Sequence, residues 1–172
     1  MLDADPGSAF PVILELAELG SISSMDRVAR CYFFGTGVLA DLSQAEAWFR
    51  RAFEGGSQSG MLGYAGRLAA RGDFETAETV LKVGVARDWA PALYWYYWCS
   101  VERSRSRATL LEMRPYLERA YALGSPLAQR SLSRRLSRGQ FGLRAIPRGW
   151  RLILDFDERS KHKFLSAPEP SA

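Results

Sequence analysis

A single histidine, His162, and two cysteines, Cys31 and Cys99, leave little for a metal ion or a nucleophile to use. A structural zinc site needs four nitrogen or sulfur ligands, and three such residues cannot supply it. A Ser-His-Asp or Cys-His arrangement would have to be built on His162. That residue lies between Lys161 and Lys163, beyond the last repeat helix, with no fixed partner in the pattern. Walker-type and dinucleotide-binding glycine loops are absent as well. Asp155, Asp157 and Glu158 read as solvated acids at the end of a terminal helix. The sequence therefore predicts no catalytic residue, no metal and no cofactor.

Long hydrophobic runs are also missing. The longest, near residues 11–16 and 92–99, fall far short of the roughly 20 residues needed to span a bilayer. The first residues, Met1-Leu2-Asp3-Ala4-Asp5, are acidic where a secretory signal is basic, so a cytoplasmic setting is the expectation. Disorder is not expected across the bulk of the chain, because 47% of its 172 residues are apolar. Residues 1–8 and 166–172 are expected to be loose ends, with one repeat domain over 9–157 followed by a basic, then Pro/Ser-rich, tail over 158–172.

Charge is unevenly distributed. Residues 1–97 carry 8 basic against 12 acidic side chains, a balance of −4, and residues 98–172 carry 15 against 7, or +8, which together give the net +4. A basic C-terminal half fits an acidic partner, and a solvated basic face fits it equally well.

What the sequence does contain is a repeat. Gly20-Ser21, Gly56-Ser57 and Gly124-Ser125 mark three starts, and Asp88-Trp89-Ala90-Pro91-Ala92 marks a fourth, at spacings of 36, 32 and 36. Periods in the thirties without strand-like alternation indicate stacked helical hairpins. In the first unit Met25, Val28, Ala29 and Tyr32 share one helix face, and Ala45, Trp48, Phe49 and Ala52 share another. Gly35-Thr36-Gly37 breaks the chain between them and Asp41 is placed to cap the second helix. Arg71-Gly72-Asp73 does the same in the second unit, ahead of a face made by Ala77, Val80, Leu81 and Gly84. A break at 103–106, a kink or delayed start at Pro115, a break at 139–142 and a helix opened by Pro147 follow. Residues 10–19 read as a capping helix at the N-terminal end. The expected fold is all-α: an α/α superhelical solenoid of about four antiparallel helix pairs, with eight or nine helices.

The first unit, Gly20-x-x-x-x-x-x-x-Val28-Ala29-x-x-Tyr32-x-x-Gly35-x-Gly37-Val38-x-x-Asp41-x-x-x-Ala45-x-x-Trp48-Phe49-x-x-Ala52-x-x-x-Gly56, resembles the Sel-one-like repeat, a relative of the tetratricopeptide repeat. The likeness weakens later: the second unit lacks the Gly-x-Gly loop, the third has Tyr97 at a small-residue position and no loop glycine, and the fourth stretches the loop. The resemblance implies a right-handed superhelix whose first helices line a concave surface for a peptide or partner domain. It also implies an adaptor or scaffold rather than an enzyme, and in bacteria several members serve envelope, polysaccharide or virulence pathways. A regulatory role in bacterial envelope polysaccharide production is thus an alternative expectation.

Candidate contact residues come from repeat phase. In the run Tyr94-Trp95-Tyr96-Tyr97-Trp98 a helix points side chains in every direction, so not all can be core. Tyr96 shares the position of Val28, Tyr64 and Leu132 and is expected to be buried. Trp95 aligns with Arg27, Gly63 and Ser131, and Trp98 with Arg30, Gly66 and Arg134; these polar or small residues suit an open surface. Trp95 and Trp98 are expected to be groove anchors beside Arg27, Arg30, Arg134 and Arg138, with packing between repeats as the competing reading. Arg130, Arg134 and Arg138 share one face and fit an acidic peptide or lipid head groups in peripheral contact. For nucleic acid the case rests on charge alone. Oligomeric state is not legible.

Cys31 and Cys99 each lie eleven residues into their units, two units apart. Neighbouring packed helices are about 8–10 Å apart, whereas a disulfide needs Cα atoms within about 7 Å. Thiol titration of the unfolded, unreduced protein is expected to find both thiols free; a Cys31–Cys99 bridge would overturn the repeat register.

Overall fold

The computed structural model describes residues 6–154; the tail containing His162, and Asp155, Asp157 and Glu158, lie outside them. The chain divides at Asp88, the expected start of the third repeat, into two compact units, Met1–Arg87 and Asp88–Ala172.

The first unit holds α1 (Pro6–Glu18), α2 (Ile22–Phe34), α3 (Leu42–Glu54), α4 (Gln58–Ala70) and α5 (Phe74–Val85), each packed on the next. Helix α1 begins at Pro6, inside the stretch expected to be loose. The two predicted faces form the core. Val28, Ala29, Ala45 and Ala52 are wholly buried, Trp48 and Phe49 nearly so, and Met25 and Tyr32 pack against them. Phe10 of α1 closes this core through an edge-on contact with Tyr32, ring centroids 5.4 Å apart. Ala77, Val80, Leu81 and Gly84 are buried on α5 as predicted.

The second unit holds α6 (Ala90–Ser104), α7 (Arg107–Glu112), α8 (Arg114–Ala122) and α9 (Pro126–Ser137), then a 3₁₀ turn (Leu143–Ala145) and helix over 146–154. Helix α6 packs mainly on α8, and α8 on α9. Pro115 sits in the first turn of α8, so the predicted break falls at Met113, where the missing N–H is harmless. The expected break at 103–106 shrinks to two residues. No strand occurs among the described residues.

The helix ends follow a rule that recurs with the repeat. Gly20, Gly56 and Gly124 lie at φ 98, 92 and 85, the left-handed region that penalises a side chain. The serine after each donates its N–H back across the turn, to Leu16, Ala52 and Ala120 respectively, at 2.9–3.0 Å. Its hydroxyl then accepts from the third residue on, capping the next helix. Asp41 caps α3 through the N–H groups of Ser43 and Gln44, and Asp73 caps α5 through Thr76. Hydrogen bonding to Thr76, ahead of the pull of Arg71, holds the Asp73 carboxyl below its ordinary pKa.

The third repeat departs from the rule at both ends of its first helix. Asp88 (φ 55) and Arg105 (φ 49) adopt the left-handed conformation without being glycine. The Asp88 carboxylate is clamped by Arg119 of α8, which lowers its pKa, but Arg105 is 81% exposed and reaches only Glu102, at 3.6 Å. Left-handed backbone costs a non-glycine residue about 1–2 kcal/mol. Arg105→Gly is therefore expected to stabilise the protein by about 1 kcal/mol, read as a higher urea midpoint with an unchanged slope.

Candidate functional site

The aromatic run lies on α6, and its side chains separate by direction. Tyr97, at the position held by Ala29, Ala65 and Ser133, is the largest fully buried side chain, 1% exposed. Tyr96 is only half-buried, against the burial expected of it, and meets Tyr116 of α8 edge-on at 5.1 Å. Tyr64, the counterpart of Tyr96 in the second repeat, is likewise only partly buried. Trp95 and Trp98 are both half-buried and pair edge-on at 5.3 Å. They stand between the two sequence readings, being neither free anchors nor full core.

Trp98 forms part of a groove of about 380 Å³ between α6 and α9. Tyr94, Trp98 and Glu102 make the α6 wall; Arg130, Ser131, Arg134, Arg135 and Arg138 make the opposite wall, with Leu127 and Gln140 at the ends. The arginines recur at helical spacing, so one face of α9 and its first following residue presents them together. Arg135 is tied down: its guanidinium lies 5.7 Å from the centre of the Tyr97 ring and donates to Gln140 Oε1 at 3.0 Å. Arg130, Arg134 and Arg138 have no carboxylate partner among the described residues. The one acid in the groove, Glu102, already faces Arg105. Burial raises the Tyr94 phenol above its ordinary pKa, and Arg130, Arg134 and Arg135 pull it back. The site is thus a basic wall facing an aromatic one, suited to binding an anionic segment.

Of the predicted contact residues, Trp98, Arg134 and Arg138 come together in this groove. Trp95 touches Tyr94 and Trp98 but lies outside the lining. Arg27 and Arg30 are on α2, in the other unit. Arg27 is exposed, and Arg30 is paired with Asp26 at 2.6 Å on the rim of a second, apolar groove. Tyr94 was missed as a wall residue although it stands one turn before Trp98. The apolar groove was missed entirely; Gly63 and Gly66 of α4 line it together with Phe33, Phe34 and Phe49.

Both cysteines are free thiols. Among the described residues no three His, Cys, Asp or Glu side chains gather as a metal site, and no helix is long and apolar enough to cross a membrane.

No protein-family model matches the chain, and no curated protein matches it. Among solved structures it is similar to the crystal structure of a Sel1 repeat protein from Oxalobacter formigenes, with a TM-score of 0.72 at 16% identity. The match covers 88% of this chain and 64% of that one, so this chain spans less than two thirds of its length. The fold is that of Sel1-type helical repeats.

The buried Tyr97 hydroxyl makes no hydrogen bond of good geometry, although Ser131 and Arg135 stand close enough to oppose the rise in its pKa that burial causes. An unpaired buried hydroxyl costs about 1–3 kcal/mol. Tyr97→Phe is expected to leave the melting temperature unchanged or higher; a marked drop would mean the hydroxyl is satisfied in solution.

Proposed function

We propose that the protein is a non-enzymatic interaction module, an adaptor or scaffold that holds an acidic segment of a partner protein in the α6–α9 groove. The observation that carries this reading is the set of three arginines, Arg130, Arg134 and Arg138, turned into one groove without carboxylate partners among the described residues. Structural arginines are ordinarily paired, as Arg30, Arg71, Arg114 and Arg119 are in this chain. Unpaired ones collected opposite Tyr94 and Trp98 supply a field for an approaching anion and flat surfaces for its apolar neighbours. Guanidinium forks hold carboxylates in two-point contact, which favours Asp and Glu side chains over a diffuse charge. Repeat folds of this kind present the first helices of successive pairs side by side, and α6 and α9 are first helices by repeat phase. That placement supports an extended peptide lying across both.

The reading is checked with a fluorescein-labelled Glu-rich peptide and the full chain, followed by anisotropy. Arg130→Glu with Arg134→Glu is expected to weaken binding by at least about tenfold at low salt, the difference shrinking as salt screens the field. Trp98→Ala should weaken it by a salt-independent factor, because its contribution is contact rather than charge. Binding indifferent to salt and to both arginines would leave the basic face merely solvated.

A further inference from the structure

A second groove, in the first unit, has a different chemistry. It runs between α2 and α4, with Phe49 of α3 as its back wall, and holds about 480 Å³. Phe33, Phe34, Phe49 and Leu62 make it apolar, and Phe34 is 71% exposed. Two glycines of α4 shape its floor in opposite ways. At Gly63 the Phe49 ring occupies the place of a side chain, with Cδ1 2.3 Å from where a Cβ would stand. At Gly66, almost one turn on, nothing lies within 4 Å of that point. The equivalent positions of the other repeats carry Arg30, Trp98 and Arg134, so the glycine leaves a notch where its counterparts place a large side chain.

Arg67 stands beside that notch. Its guanidinium lies 6.0 Å from the centre of the Phe33 ring, and its Nε is buried with no hydrogen-bond partner. No acid pairs with it among the described residues. Arg30, on the same groove, is already held by Asp26. The Arg67 guanidinium is left without a counter-charge, and a carboxylate entering the groove is the partner that would supply one. The floor calls for a bulky apolar group and the edge for a carboxylate, within one side chain's reach of each other.

We propose that this groove is a separate peptide-binding site, which takes a large hydrophobic side chain of a partner in the Gly66 notch and a neighbouring carboxylate on Arg67. It does not depend on the reading of the α6–α9 groove. Aromatic rings and an arginine around an open pocket are the composition from which binding anchors are built.

N-acetyl-L-tryptophan and its neutral analogue N-acetyl-L-tryptophanamide are suitable probes, titrated into the ¹⁵N-labelled full chain. The acid should shift the backbone amides of Gly63, Gly66 and Arg67 and bind at least about fivefold more tightly than the amide. Arg67→Gln should bring the two affinities together. Gly66→Leu fills the notch at a helix position where glycine is unfavourable, so it should abolish binding of both probes while melting no lower than wild type. If Arg67→Gln fails to fold, Gly66→Leu decides alone. Unmoved α4 amides up to the probes' solubility, equal affinity for acid and amide in the wild type, or unchanged binding by a folded Gly66→Leu protein would each overturn the proposal.

Discussion

The turn that joins one helix pair to the next governs the structure. A glycine in the left-handed region ends the outgoing helix, and the serine after it both bonds back across the turn and caps the incoming helix. Two residues thus satisfy the orphan groups of two helix ends and fix the angle between them. Because the same device recurs at Gly20, Gly56 and Gly124, the small faces recur in phase with it. Ala29, Ala65 and Ser133 are then buried at one shared repeat position.

The grooves are the by-product of this regularity. Once the joints place first helices side by side, the residues on their open face decide what each groove is. At the position of Arg30, Gly66, Trp98 and Arg134 the side chain varies from none to the largest available, with no cost to the joint. One groove becomes apolar with an arginine at its edge, the other basic with an aromatic wall. The chemical character of each groove thus depends in part on the residue at this one repeat position.

The same division explains what was legible in the sequence. The helix faces of the first unit, the caps Asp41 and Asp73 and the interruption at Pro115 follow from local pattern and are found in place. Trp98 and Arg134 were legible as an open face because repeat phase aligns them with Arg30 and Gly66, and Arg138 because it follows Arg130 and Arg134 at helical spacing. Tyr96 was misplaced because the position it shares with Val28 and Leu132 buries aliphatic side chains, whereas the tyrosines there, Tyr64 and Tyr96, are both only partly buried. The apolar groove of the first unit was illegible for a different reason. It consists of an absence, the missing side chain of Gly66, and whether a glycine leaves space or is filled, as Gly63 is by Phe49, depends on a contact between helices that no spacing records.

The third repeat gives up the serine along with the glycine. Trp89 precedes α6 and offers no side-chain cap, so the amides of the first turn have no acceptor from that residue, and only Pro91, which has no N–H, reduces their number. Helices α2, α4 and α9 each begin with such an acceptor in place. Fraying is cheapest where a helix end is least satisfied. Among the first helices of the pairs, α6 alone starts without a side-chain cap. The start of the helix that carries Tyr94 and Trp98 is thus held by the burial of Ala92 and Leu93 rather than by a cap.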